Sequence, residues 1–268
     1  MPSKKIKLEK IKRILIIRPD VLGDVVLSTP VIHALKKHFP EARLSMLLRT
    51  YTRPLLESHP MIDEILIDEI IEGKIRSLGD FLRYAKRIRE HQFDLMITLW
   101  EKPIYALLGF FAGIPYRVGD KNRLIPRLLY NYGIRQKWWD LTLHQVEHNL
   151  RLLQPLGIYE HFVPVHLNLP TQTANPTNPL LIRNDKKKIS ISLGTTGGKR
   201  TPTLEQMSQV MKILTEKGNV EFILLGTESE QKKAETLQEK FPDHTINWVG
   251  KTDIPTLMYI LHACDLPL

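Results

Sequence analysis

The sequence holds one cysteine, Cys264, among 268 residues. A lone thiol closes no internal disulfide and builds no cysteine-rich zinc cluster, so neither a disulfide scaffold nor a zinc finger is open to this chain. Long apolar runs are missing too. The most apolar stretch, residues 105–114, falls short of the roughly 18 apolar residues of a membrane span. The start, residues 1–12, is basic and lacks the apolar segment of a secretory signal. These absences predict a cytoplasmic protein. The G-x-G-x-x-G spacing of a dinucleotide fingerprint and the Walker A order are also absent. His144 and His148 lie four apart without the glutamate of H-E-x-x-H, and no other histidines show metal-ligand spacing. No metal and no cofactor are expected.

What the chain does have is positive charge, a formal +9. Nucleic acid, an anionic membrane surface and a phosphorylated substrate would each suit that excess. No nucleic-acid motif is present, which sets the first aside. The charge is clustered: Lys10, Lys12 and Arg13 close a basic start, Arg83, Lys86, Arg87 and Arg89 share one helix, and Arg117, Lys121, Arg123 and Arg127 follow a strand. Hydrophobic residues make up 43% and charged residues 25%, enough for a sizeable core.

Periodicity predicts an α/β fold with mainly parallel sheets. Residues 14–17 form a short β-branched run that reads as a buried parallel strand. A helix over 24–38 follows, with Pro30 inside it and a kink expected there. Strands are expected at 43–48, 64–67, 94–99 and 117–119, and helices at 78–90, 102–111 and 143–156, the last ended by Gly157. Residues 169–187 are rich in Pro and Asn and read as a linker. Beyond it come strands at 188–193, 220–225 and 245–248, with helices at 203–217, 228–240 and 254–262. Residues 263–266 resemble the start of one more strand. This predicts an N-terminal Rossmann-like domain over 1–168 and a second, incomplete one over 188–268.

Three turns following strands carry candidate chemistry. In the first, residues 18–24, Gly23 permits close backbone approach and Asp24 stands where the helix begins. Asp24 is either a helix N-cap or a general base at a cleft. The second, residues 193–200, offers glycine N–H groups, the hydroxyls of Thr195 and Thr196, and Lys199, either as a phosphate cradle or as a flexible turn. In the third, residues 225–230, Glu228 or Glu230 meets ribose hydroxyls or merely compensates a helix N-terminus. Trp138 and Trp139 either pack or touch lipid.

Residues 14–37, with Gly23-Asp24 and Thr29-Pro30 at their core, closely resemble the opening of the family nine glycosyltransferases, the ADP-heptose:lipopolysaccharide heptosyltransferases. The match continues through residues 39–42, 54–60 and 144–158, and through Thr195, Thr196, Lys199 and residues 250–257. The resemblance implies the GT-B fold, two Rossmann-like halves flanking a cleft, with the acceptor on the first and the sugar nucleotide on the second. It implies inverting, metal-independent transfer of heptose from ADP-heptose to the lipopolysaccharide inner core on lipid A. Asp24 would be the general base, Thr195, Thr196 and Lys199 would bind the leaving diphosphate, and Glu228 or Glu230 the ribose. Gly23, Arg117 and Arg123 would contact the acceptor, and the chain would work at the inner-membrane surface. Two features depart from the family pattern. Thr201 stands where an aromatic residue is usual, and the family's Asp-Ser/Thr-Gly-Pro loop would follow residue 266, where the sequence stops. A C-terminally shortened member is therefore expected, with an inactive form that retains acceptor binding as the alternative.

Overall fold

The computed structural model describes residues 8–161, 163–169, 185–194 and 202–267. The chain divides into two compact units, Met1–Asn168 and Leu169–Leu268. The linker expected over 169–187 lies mostly outside the described residues.

The first unit is built on six parallel strands: β1 (Arg13–Ile17), β2 (Arg43–Leu48), β3 (Glu64–Ile67), β4 (Leu95–Thr98), β5 (Tyr116–Asp120) and β6 (Tyr132–Ile134). Their order is β3-β2-β1-β4-β5-β6, the arrangement of a Rossmann sheet. Four successive residues of β1, Ile14 to Ile17, are fully buried, as a central parallel strand requires. Leu15 and Ile17 pack into a cluster with Phe81, Tyr84, Ile88 and Tyr105. Those partners come from α3 (Leu78–Glu90) and α4 (Pro103–Phe111). Ile14 and Ile16 point to the opposite face by strand alternation.

One device fixes the register three times. Asp94 accepts from the N–H groups of Lys12 and Arg13 at 2.8 and 2.9 Å and donates its own N–H to the Arg13 carbonyl. Asp63 makes the same two-way contact with Leu44 at the start of β2. Asp265 makes it with Lys188 in the second unit. In each case a carboxylate before a strand mimics a neighbouring strand's carbonyl and fills the ladder one step early.

The helix expected over 24–38 is two helices, α1 (Leu22–Val26) and α2 (Thr29–His38). The Ser28 and Thr29 hydroxyls donate to the Val25 and Val26 carbonyls at 2.6 and 2.9 Å, and the Val26 carbonyl could meet no helical donor in any case, because the residue four on is Pro30. Pro30 therefore falls in the first turn of α2, where its missing N–H costs nothing, and it kinks no helix. The helix expected over 143–156 is α6 (Gln145–Arg151) followed by a 3-10 turn, Gln154–Leu156. Gly157 ends that turn at φ 79, the left-handed conformation that glycine tolerates. α5 (Leu124–Leu129) and β6 were not anticipated.

The second unit carries β7 (Lys187–Ser192), β8 (Val220–Leu225), β9 (Thr245–Asn247) and β10 (Leu266–Pro267), all parallel, in the order β10-β7-β8-β9. Helices α7 (Leu204–Lys217), α8 (Gln231–Lys240) and α9 (Ile254–Ala263) alternate with them. The strand start read at residues 263–266 is β10, paired to β7 from Leu266. Thr203 caps α7, and a 3-10 turn, Glu228–Glu230, precedes α8. No helix among the described residues is long and apolar enough to cross a membrane.

Candidate active site

In an open α/β sheet the ligand crevice lies outside the carboxyl ends of the strands, where the strand order reverses. In the first unit that point lies between β1 and β4. The segment leaving β1 is residues 18–24, so Asp24 stands at the switch point by topology.

Arg18 follows β1 directly and is 3% exposed. One guanidinium nitrogen donates to the carbonyl of Leu99, the residue after β4, so the side chain bridges the two strands at the reversal. The other, Nη2, meets Asp24 Oδ1 at 2.8 Å and Asp20 Oδ2 at 3.7 Å. Burial of an arginine demands such partners. Asp24 is not the N-cap of α1. Val21 holds that position, and Asp24 lies in the first turn, where its charge also suits the helix dipole. Its side chain is 32% exposed, and Oδ2 has no bond among the described residues. The result is a carboxylate with one oxygen anchored and one open to a ligand.

The surroundings are rigid and polar. Arg49, after β2, donates to the Pro19 carbonyl at 3.0 Å and lies over the Tyr51 ring. Partial burial raises the Tyr51 hydroxyl above its ordinary range; Arg49 opposes this, and the charges of Asp20 and Asp24 add to it. Behind α1, the fully buried Asn149 donates from α6 to the Leu27 carbonyl at 2.9 Å. This ties the α1–α2 break to the body of the unit. A Cβ added at Gly23 would meet nothing within 4 Å, so the chain beside Asp24 faces open space.

The two arginines expected at an acceptor part company. Arg117 sits within β5, and its guanidinium donates to the carbonyls of Leu129 at 2.8 Å and Ile114 at 2.5 Å. Burial pushes its pKa down. It locks α5 and the turn before β5 and is not offered to a ligand. Arg123 precedes α5, at the carboxyl edge of the sheet, and is exposed. Its charge opposes a rise in the Glu101 pKa caused by partial burial and then by the charge of Asp120. Asp120 itself is buried, accepting from Asn122, Gln136 and the Trp138 indole.

The histidines at 144 and 148 are structural. His144 and Glu147 cap α6 reciprocally, and His148 is buried against Trp138. No group of three His, Cys, Asp or Glu among the described residues is placed to hold a metal ion.

In the second unit the equivalent reversal lies between β7 and β10. Thr195, Thr196, Lys199 and Thr201 lie outside the described residues, so the expected phosphate cradle is seen only at its start, Leu193 and Gly194. A Cβ on Gly194 would fall 2.6 Å from the Glu230 carboxyl carbon, so any side chain there would displace the Glu230 carboxylate. Glu230 is fully engaged. It accepts from the Thr227 N–H at 2.9 Å and from the hydroxyls of Thr227 and Ser229. Those bonds, Thr227 first, hold its pKa below the ordinary range. Glu228 is exposed, and its carboxylate has no bond among the described residues.

Sequence reading placed Asp24 and missed Arg18, Arg49 and Asn149 as its supports. A signal for Arg18 was present: a cation that ends a buried strand must find an anion, and Asp24 is six residues on.

A family model described as glycosyltransferase family 9 (heptosyltransferase) matches residues 81–268. A putative glycosyltransferase of Haemophilus influenzae is 27% identical over 234 residues, covering 83% of this chain and 66% of that protein. Lipopolysaccharide heptosyltransferase 3 of Escherichia coli is 32% identical over 151 residues, 52% of this chain and 41% of the relative. The matched part thus spans less than two thirds of either relative. The solved structure of E. coli ADP-heptose lps heptosyltransferase II superposes with a TM-score of 0.72 at 20% identity, covering 95% of this chain and 78% of that one. At that identity the likeness speaks for the fold.

Proposed function

This chain belongs to glycosyltransferase family 9, the heptosyltransferases, and on that premise we propose that it transfers heptose from ADP-heptose to the lipopolysaccharide inner core. The transfer inverts the anomeric centre and uses no metal. Residues 1–168 hold the acceptor, residues 188–268 hold the donor, and 169–187 join them.

Asp24 is the general base. Its open oxygen takes the proton of the acceptor hydroxyl as that oxygen attacks the anomeric carbon and ADP departs. Arg18 holds the other oxygen, so the base is aimed before substrate arrives. Lys199, Thr195 and Thr196 meet the charge that develops on the leaving diphosphate. Of the two glutamates, Glu228 is the one with a carboxylate to spare for ribose, since Glu230 is committed to its turn. Gly23 and Arg123 line the acceptor side. Because that acceptor is carried on lipid A, the enzyme works at the periphery of the inner membrane.

The observation that carries this reading is the half-anchored, solvent-facing carboxylate of Asp24 at the switch point. The test is ADP release from ADP-heptose with a deacylated inner-core acceptor, in the presence and absence of EDTA. Expected are turnover indifferent to EDTA and a loss of about a thousandfold or more in Asp24→Asn, at the upper part of the range for general-base removal. Turnover retained by Asp24→Asn would refute the role. Acceptor binding with no ADP release would leave the chain an acceptor-binding member of the family.

A further inference from the structure

α5 has six residues, Leu124–Leu129, of which only Pro126 is buried. Leu124 is 68% exposed and Leu128 74%, with Ile125 beside them. They lie one turn apart and share a face. Beyond β6, Trp139 is 72% exposed and Leu141 93%. The two segments leave the same edge of the sheet from neighbouring strands, and their first residues are bonded to each other. Asn122 donates to the Gln136 carbonyl at 2.6 Å, and the Trp138 indole donates to Asp120 at 2.8 Å. The tryptophan pair is thereby divided: Trp138 faces inward and Trp139 outward.

Five large apolar side chains in water invite a partner. The charge around them says which. Residues 121–139 hold Lys121, Arg123, Arg127, Arg135 and Lys137 and no Asp or Glu; Asp140 follows, its carboxylate accepting from the Thr142 N–H and hydroxyl. None of the five takes part in a salt bridge among the described residues. The core of a protein–protein interface is depleted of charged residues, lysine among them, though arginine is enriched at interfaces. Exposed Leu and Trp on a segment rich in cations that make no salt bridge is instead the composition of an interfacial membrane contact, with the indole at headgroup depth and the cations on anionic lipid.

We propose that the α5 face, with the 137–141 loop, is the surface by which this chain docks on an anionic phospholipid bilayer. This goes with the reading of a lipid-carried acceptor, and it places α5 and its sheet edge, the edge on which Asp24 stands, toward the lipid.

The test is co-sedimentation of the full chain with vesicles of phosphatidylethanolamine and phosphatidylglycerol, compared with phosphatidylcholine alone. It needs neither donor nor acceptor, so it stands or falls separately from the transfer reaction, which is assayed with a deacylated, water-soluble acceptor. The wild-type chain is expected to sediment with the anionic vesicles and not with the neutral ones, and to be released by salt. The triple variant Leu124→Ser, Leu128→Ser, Trp139→Ser is expected to lose at least about tenfold in partitioning, since three side chains leave the lipid. The double variant Arg127→Gln, Lys137→Gln should lose about fivefold per charge. All five changes are at exposed positions, so an unchanged thermal midpoint accompanies the loss. Failure of the wild type to sediment, equal binding to neutral vesicles, or unchanged binding by both variants would each overturn the proposal. So would a wild-type dimer in light scattering that the triple variant converts to monomer without losing vesicle binding, because the face would then join two copies of the chain.

Discussion

Replacing Arg18 by Met tests the site and the fold together. The side chain keeps similar bulk and loses its guanidinium. Two partners are stranded unequally. The Leu99 carbonyl is left without its donor in a buried place, which costs about 1–3 kcal/mol. Asp24, about a third exposed, rehydrates, so its lost pairing is discounted to about 1 kcal/mol at most. Against these, the variant no longer buries a charge, which returns part of the desolvation cost. The net is a loss of about 2 kcal/mol, or a fall of about 4–8 °C in the midpoint of the first unit, followed by circular dichroism. The effect on turnover is larger. An unanchored Asp24 samples rotamers that miss the acceptor hydroxyl, and misplacement of that order costs about a hundredfold. The signature is a fall in kcat with donor KM unchanged. Arg18→Lys restores the charge without the planar fork and should fall between the two. A double-mutant cycle with Asp24→Asn isolates the coupling. Arg18→Met with parental turnover and an unmoved midpoint would show that the bridge across β1 and β4 neither holds the fold nor aims the carboxylate.

Three further outcomes are expected. His59 is buried beside His33 and accepts from the Met61 N–H; burial, then His33 and His166, lower its pKa from the ordinary 6.5 to about 4. The folded chain therefore binds fewer protons than the unfolded one in that window. The contribution, about 3 kcal/mol at most, is full above pH 6.5 and is lost as the pH falls through 4, and His59→Gln should flatten that part of a urea-melt pH series. Asn149→Ala strands the Leu27 carbonyl and should cost about 1–3 kcal/mol in chemical denaturation, with a fall in kcat as the α1–α2 break loosens. Glu228→Gln should raise the KM for ADP-heptose and leave the melting midpoint alone. Glu230→Gln should do the reverse, since its carboxylate fills the turn beside Gly194, and parallel melts and kinetics separate the two.

Most of the frame was legible because it rests on local pattern. The run at residues 14–17 reads as a buried parallel strand, and the switch from β-branched runs to helical spacing marked the longer crossovers. Helix α3 and strand β8 begin and end where periodicity set them. The misses have local causes of another kind. Ser28 and Thr29 end α1 by back-bonding, a side-chain choice that hydrophobic spacing does not encode. α5 and β6 are short, and α5 is apolar on the side that faces water, the opposite of the rule by which helices are read. Arg117 was expected at the acceptor through the family resemblance. Its partners are the backbone carbonyls of Leu129 and Ile114, which no sequence pattern advertises.

The two units share more than alternation. Each places its first strand beside the reversal, and in each an aspartate pins that strand to the one entering across it, Asp94 to Arg13 and Asp265 to Lys188. With the scaffold equal, the turns after β1 and β7 must carry the difference in chemistry. The first presents an acid, Asp24, held by a buried arginine, and beside it open space at Gly23. The second begins at Gly194, whose missing side chain leaves room for the Glu230 carboxylate, and its sequence continues to Lys199. On the proposed roles, a carboxylate at the first turn repels a diphosphate and accepts a proton, and a lysine at the second favours the diphosphate. A transfer that needs both a base for the acceptor and positive charge for the leaving group therefore needs both units. Exchanging Asp24 for Lys should abolish proton acceptance without creating a second nucleotide site, which equilibrium binding of ADP would read as unchanged stoichiometry.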